Sequence, residues 1–126
     1  MKLRIKGNSL RLRLTQAEVQ RISEGESVRE VMNIGGGNPS FIYSLTIHAN
    51  QLPVAVVYQN HEIHVTISRQ VSRQWATTNQ ISIEENIPTE DRHSLHVLIE
   101  KDFRCLHRNV QDEPDQFPNP KATEAS

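Results

Sequence analysis

Residues 3–14 read LRIKGNSLRLRL, and this stretch decides much of what the sequence says about the fold. Apolar and basic residues alternate on both sides of residues 7–9, Gly-Asn-Ser, a combination typical of a tight turn. Because successive side chains of a strand point to opposite faces, the apolar side chains can face a core while the cations face away. The apolar set is Leu3, Ile5, Leu10, Leu12 and Leu14, and the cationic set is Lys2, Arg4, Lys6, Arg11 and Arg13. The stretch therefore predicts a tight hairpin, or one kinked strand, with a basic outer face.

Positive charge is concentrated at this end of the chain. Five cations precede the first carboxylate, Glu18, whereas the 126 residues together hold 14 basic and 15 acidic residues and a net charge of −1. The planar guanidinium of arginine suits phosphate or carboxylate oxygens because it donates two parallel hydrogen bonds. We therefore predict that Arg4, Lys6, Arg11 and Arg13 contact a phosphate-containing or other anionic ligand. The alternative is a solvated outer face whose charges discourage pairing at the sheet edge.

Two short helices are predicted from their N-terminal signals. Thr15 and Glu18 have the spacing of a capping box, in which each side chain bonds the backbone amide of the other residue. Ser68 is a suitable N-cap for a second helix, in which Val71 and Trp75 lie one turn apart on the buried side. Each helix is therefore expected to cover the core with one apolar face.

The other apolar runs alternate and indicate strands. They lie at residues 27–34, 41–48, 54–58, 63–67, 81–83 and 95–99, with a hairpin turn at residues 59–62. The connections before the second and third strand pairs are too short for βαβ crossovers, which makes a parallel sheet unlikely. This order predicts an α+β fold with a largely antiparallel sheet of seven to eight strands and two short helices, and such a sheet can curl into a barrel or open tunnel. No internal repeat is visible in the sequence.

The composition bounds the domain organisation and the compartment. Residues 1–108 are expected to form one α+β domain, and residues 109–126 a polar, acidic tail with prolines that is disordered or lies on the surface. The single cysteine, Cys105, has no internal disulfide partner, which favours a reducing compartment. There is no apolar segment typical of a signal peptide or of a membrane span. We therefore expect a cytoplasmic protein without a membrane partner.

Two further kinds of site are disfavoured by the sequence. A pI near 6.6 and an aromatic content of 5% argue against nucleic-acid binding. His61 and His64, like His93 and His96, are spaced by three residues. On strands this spacing sends the two side chains to opposite faces, which argues against a zinc site.

Carboxylates near the predicted strand ends supply a second functional hypothesis. Glu84, Glu100 and Asp102 could hold Mg²⁺ or Mn²⁺ against a phosphate, which would make the domain a metal-assisted phosphohydrolase. Cross-strand pairing of these carboxylates with lysine or arginine is the simpler alternative. A third hypothesis is a structural or protein-interaction domain that forms a homodimer through an edge strand. We favour the non-enzymatic anion-binding domain, which needs no cofactor.

Three segments, IKGNSLRLRLTQAEV at residues 5–19, EKDFRCL at residues 100–106 and DQFPNP at residues 115–120, resemble a family of short bacterial proteins that form a domain of unknown function. This resemblance implies a free-standing bacterial domain and brings no activity with it. Residues 2–6, KLRIK, are more weakly similar to the first strand of the CYTH-type triphosphate tunnel enzymes. Those enzymes grip a triphosphate with basic residues inside an antiparallel barrel and hold metal with glutamates. The glutamates of their ExExK pattern are lysine and arginine here.

Overall fold

A computed structural model describes residues 1–37, 40–49 and 52–103 of the chain. The strands in these ranges are β1 Lys2–Lys6, β2 Ser9–Leu14, β3 Val28–Met32, β4 Phe41–His48, β5 Val54–Gln59, β6 Glu62–Ser68, β7 Ser82–Pro88 and β8 Ser94–Lys101. The helices are α1 Gln16–Ser23 and α2 Arg69–Thr77, and a short 3₁₀ turn spans Glu90–Arg92. The predicted tail at residues 109–126 and Cys105 lie outside the described residues. None of the helices in the ranges above has the length and apolar character needed to cross a membrane.

The strands form two four-stranded mixed sheets that do not close into a barrel. Sheet A has the strand order β1-β2-β8-β7, and sheet B has the order β3-β4-β6-β5. In each sheet two antiparallel pairs are joined by a central parallel pair, β2 with β8 in sheet A and β4 with β6 in sheet B. The α+β class and the two helices are confirmed, whereas a single, largely antiparallel sheet of seven to eight strands is not.

The central parallel pairs explain why that prediction differs from the structure. A parallel pair usually needs a helical crossover. The connection from β4 to β6 instead contains the edge strand β5, and β2 pairs with β8, which is the last strand of the described chain. Short connections therefore exclude a βαβ unit without excluding parallel strands.

The order of the elements repeats along the chain. Residues 2–48 form one ββαββ unit, and residues 54–101 form a second unit with the same order. The first unit gives its first strand pair to sheet A and its second to sheet B, while the second unit does the reverse. Each sheet therefore contains one strand pair from each unit. This repeat of the element order is not visible in the amino-acid sequence.

One core is shared by both sheets and both helices. Its buried members are Leu10, Leu12, Leu14, Val19, Ile22, Val28, Leu45, Val54, Val65, Ile67, Trp75, Ile83, Val97 and Ile99. Trp75 is the largest fully buried side chain, and its indole Nε1 donates a hydrogen bond to the Ile81 carbonyl oxygen at 3.0 Å. Since burying one such side chain contributes about 1.5–3 kcal/mol, this shared core is the main source of stability.

Both predicted helix starts are confirmed. The Thr15 hydroxyl accepts a hydrogen bond from the Glu18 amide at 3.3 Å, and the Glu18 carboxylate accepts one from the Thr15 amide at 2.9 Å. In α2 the Ser68 hydroxyl accepts a hydrogen bond from the Val71 amide at 3.2 Å. Helix α2 has only half of the capping box, because Val71 stands where Glu18 stands in α1.

The two tight turns predicted from their residues are also present. Gly7 and Asn8 connect β1 to β2, and Asn60 and His61 connect β5 to β6. Gly7 has a φ of 55°, whereas Asn60 and His61 have φ values of 53° and 63° without being glycine. Both turns therefore use left-handed backbone, but only the first has a glycine there.

Candidate functional site

The predicted basic residues share the outer face of sheet A. Along β2, Arg11 and Arg13 alternate with leucines that are buried in the core. The pairing of β1 with β2 places Arg4 directly opposite Arg11 and Lys2 directly opposite Arg13. We call this surface the basic face, and its cations are Lys2, Arg4, Lys6, Arg11 and Arg13. The structure thus brings all four predicted ligand contacts, Arg4, Lys6, Arg11 and Arg13, onto one surface.

Like charges oppose each other across this hairpin. The Arg4–Arg11 and Lys2–Arg13 pairs are direct cross-strand neighbours. Like charges in such positions destabilise an antiparallel pair by roughly 0.2–1 kcal/mol, an amount similar to the gain from an attractive pair. The basic face therefore carries an electrostatic cost that nearby anions can offset.

Glu100 offsets part of this cost from the neighbouring strand. The parallel pairing of β2 with β8 places it opposite Arg13, whose Nε donates a hydrogen bond to Glu100 Oε1 at 2.7 Å. The Nε of Arg11 lies 3.5 Å from the same oxygen. The Glu100 side chain is only 16% exposed, so water screens these pairs less than it screens an ordinary surface pair. Glu100 holds the two guanidinium groups side by side.

The other carboxylates of the predicted metal site also have nitrogen partners. Asp102 Oδ2 lies 3.3 Å from Lys2 Nζ, and Glu84 Oε1 lies 2.7 Å from His96 Nε2. Glu84 faces Leu98 across β7 and β8 rather than Glu100. Glu100 and Asp102 thus lie beside arginine and lysine, as in the alternative that the sequence allowed, whereas the partner of Glu84 is a histidine. Among the residues that the structure describes, no three His, Cys, Asp or Glu side chains are grouped so that they could hold a metal ion.

The outer face of sheet B carries a different polar cluster, which sequence reasoning missed. Ser44 Oγ donates a hydrogen bond to Glu62 Oε2 at 2.6 Å, and His64 Nδ1 lies 3.5 Å from the same oxygen. The other imidazole nitrogen of His64, Nε2, lies 3.4 Å from Thr46 Oγ1. The parallel pairing of β4 with β6 creates this cluster. A prediction that assumes antiparallel strand pairs does not place these side chains next to each other.

The first residue of the chain joins α1 to β3 through charge. The Met1 ammonium group donates a hydrogen bond to the Glu18 carboxylate and lies 3.3 Å from Glu30 Oε1. Burial raises the pKa of Glu18, but hydrogen bonds from the ammonium group and from Thr15 outweigh burial, so the pKa is lower than usual. Burial, followed by the charges of Glu30 and Glu18, raises the pKa of Tyr43 above its usual value.

A second candidate region is a cleft of about 540 Å³ between the end of α1 and one side of α2. It is lined by Ser23, Glu24, Gly25, Ile47, Arg69, Ser72, Arg73 and Thr77. These residues come from separate parts of the sequence, which is why the cleft was not predicted. The spacing of Arg69, Ser72 and Arg73 is the one sequence signal that could have indicated it, because these residues share one side of a helix.

The comparisons with known proteins give a family without an assigned activity. Residues 1–121 match the profile of DUF7009, described as a family of unknown function. The expected resemblance to a domain of unknown function is confirmed, and the similarity to CYTH-type enzymes is not. Neither a curated protein nor a solved structure matches the chain.

Proposed function

We propose that this chain, which belongs to the family DUF7009, binds a multivalent phosphate-bearing anion on the basic face. The observation that carries the proposal is the like-charged cross-strand pairs, Arg4–Arg11 and Lys2–Arg13. A bound polyanion would lie between repelling cations and lower their mutual repulsion. The single cysteine supports a reducing, cytoplasmic location for such a protein.

The concentration of positive charge on this surface also favours an anion. The hairpin of β1 and β2 presents five cations on one face, in which Arg4 lies opposite Arg11 and Lys2 lies opposite Arg13. Like charges this close together raise the local positive potential. A ligand with several phosphate groups suits such a potential better than one with a single negative charge.

Glu100 has a positioning role in this proposal. Its carboxylate holds the guanidinium groups of Arg11 and Arg13 before any ligand arrives. Fixing side chains in advance lowers the conformational entropy that binding would otherwise cost. Arg4 and Lys6 lie on the exposed edge strand β1, the other strand of the hairpin, and add positive charge to the same face.

The proposal is tested by calorimetric titration with inorganic triphosphate. We expect Arg11→Gln to weaken binding by about tenfold, because a hydrogen bond to a charged group contributes about 1.5–3 kcal/mol. Binding should also weaken as salt is added. The matched control is Arg29→Gln, which removes one positive charge from β3 in sheet B and should leave the affinity unchanged. Neutral substitutions are preferable to charge reversal, since a glutamate at position 11 or 13 would face Glu100.

Three results would count against binding on the basic face. Equal loss of affinity in the Arg11 and Arg29 variants would show that only overall charge matters. Release of phosphate that needs Mg²⁺ and is lost in Glu100→Gln would favour the phosphohydrolase hypothesis instead. A molar mass that rises with protein concentration, without any triphosphate response, would favour a homodimer through an edge strand such as β3, where Val31 is 52% exposed.

A further inference from the structure

Helix α2 carries a second concentration of positive charge, separate from the basic face. Arg69, Ser72 and Arg73 are spaced i, i+3 and i+4, so their side chains are neighbours on one side of the helix. All three line the cleft of about 540 Å³, whose opposite wall is formed by Ser23 and Glu24 at the end of α1. The cleft thus places two guanidinium groups and a hydroxyl group around one space.

The two arginines of the cleft have no anionic partner. Within residues 1–37, 40–49 and 52–103, neither Arg69 nor Arg73 makes an ion pair or a side-chain hydrogen bond. Helix α2 itself contains no aspartate or glutamate. Glu24, the carboxylate that lines the cleft, already accepts a hydrogen bond from Gln20 Nε2 at 3.0 Å. The positive charge of α2 is therefore available to a ligand.

Ser72 places a hydroxyl group in the wall of the same cleft. The residue is 1% exposed and lines the cleft. The matching position of α1, also four residues after the N-cap, holds the core residue Val19. The second unit therefore has a polar side chain beside the cleft where the first unit has an apolar one.

We propose that the cleft binds the phosphate group of a small phosphorylated polyol. Two guanidinium groups and a hydroxyl group can each donate to a different terminal oxygen of a phosphate monoester, whereas a carboxylate offers only two oxygens. Glu24 can accept a hydrogen bond from a hydroxyl group of the polyol part. A volume of about 540 Å³ is within the range of small-molecule sites.

Calorimetric titration of the full chain with glycerol 3-phosphate tests this site. The double variant R69Q/R73Q should bind at least about tenfold more weakly, since it removes both charged donors. Ser72→Ala should bind severalfold more weakly, because the change removes one hydrogen-bond donor from the wall of the cleft. The control Arg29→Gln removes one positive charge from β3 in sheet B, away from the cleft, and should bind like the unaltered protein.

The same titration followed by amide NMR locates the ligand. Shifts that centre on α2 and on the end of α1, and that also appear with inorganic phosphate alone, support the site. Shifts confined to β1 and β2, or equal affinities for R69Q/R73Q and Arg29→Gln, would overturn it, as would an absence of binding. Failure here is separable from failure on the basic face, because Arg11→Gln should leave glycerol 3-phosphate binding unchanged.

Discussion

In the first ββαββ unit the strand before the helix presents Arg11 and Arg13 outward, while in the second unit the corresponding strand presents His64 and Thr66. The inward residues are leucines in β2 and isoleucine or valine in β6, and most are buried. All of them pack into the one core, so packing limits them to apolar side chains of similar size. The outward positions meet no such limit. The two units therefore share a scaffold and differ where ligands could be bound.

The two helices also have similar residues where they face the core and different residues elsewhere. Ile22 in α1 and Trp75 in α2 are each the seventh residue after the N-cap, and both are fully buried. Val19 and Ser72 are each the fourth residue after the N-cap, and here the units differ. The seventh position seals the core in both units, whereas the fourth position borders the cleft in α2 only.

The largest expected effect concerns the two sealing residues. Trp75→Ala should lower the free energy of unfolding by about 3–5 kcal/mol, and Ile22→Ala by about 2–5 kcal/mol, through lost burial and the cavity left behind. The tryptophan should be the costlier loss, because the bond from Trp75 Nε1 to the Ile81 carbonyl is lost with it. Urea denaturation followed by circular dichroism measures both, with Trp75→Phe as the milder control. A greater cost for Ile22→Ala than for Trp75→Ala would contradict this expectation.

A smaller effect is the pH dependence of stability, which the N-terminus of α1 should contribute and the N-terminus of α2 should not. The pKa of Glu18 is lowered in the folded protein, so its carboxylate adds stability above the unfolded pKa, and this stability is lost as pH falls through the folded pKa. Val71, at the same place in α2, cannot titrate. Glu18→Gln keeps the hydrogen bonds of a capping box but removes the charge. Between pH 6 and pH 3 the Tm of the unaltered protein should therefore fall more than the Tm of this variant.

The titration of Tyr43 does not affect the measurement between pH 6 and pH 3. The pKa of Tyr43 is raised, so the stability it contributes is complete at neutral pH and is lost only as pH rises above the usual tyrosine range. Tm curves of the unaltered protein and Glu18→Gln that run parallel from pH 6 to pH 3 would show that the Glu18 charge adds nothing to folding.

Local signals in the sequence predicted local structure well. The capping box of Thr15 and Glu18 and the turns at residues 7–8 and 60–61 depend on residues that are close in sequence, and all are present. The grouping of the cations was also predictable, because alternation along one hairpin fixes it. Propensity and spacing act over a few residues, which is the range of these features.

Pairing between distant segments could not be predicted. Glu100 meets Arg13 because β2 and β8 pair in parallel, although 87 positions separate the two residues. The sequence placed Glu100 near a metal-binding group, whereas the structure pairs it with arginines. The cleft likewise joins Ser72 to Glu24 through the packing of one helix on another. Such contacts depend on which strand lies beside which, and no local pattern specifies that order.

The smallest predicted effect compares the two hairpin turns and has opposite signs in the two units. His61 has a φ of 63°, and a glycine there would create the Asn-Gly pair that type I′ turns favour. His61→Gly should raise the free energy of unfolding by about 0.5 kcal/mol, because relief of backbone strain exceeds the extra entropy of the unfolded chain. Gly7→Ala should lower it by about 1 kcal/mol, since φ is 55° and no atom within 4 Å would contact the new Cβ.

Backbone strain alone accounts for both signs. The carbonyl oxygen of His61 accepts a hydrogen bond from the Ile42 amide at 2.9 Å, and a glycine keeps that carbonyl. Urea denaturation of the two variants measures the pair of effects under one set of conditions. If both substitutions destabilised the protein, the His61 imidazole would have to contribute more to the second unit than its exposed position in the turn suggests, and the two turns would differ in side-chain contacts rather than in strain.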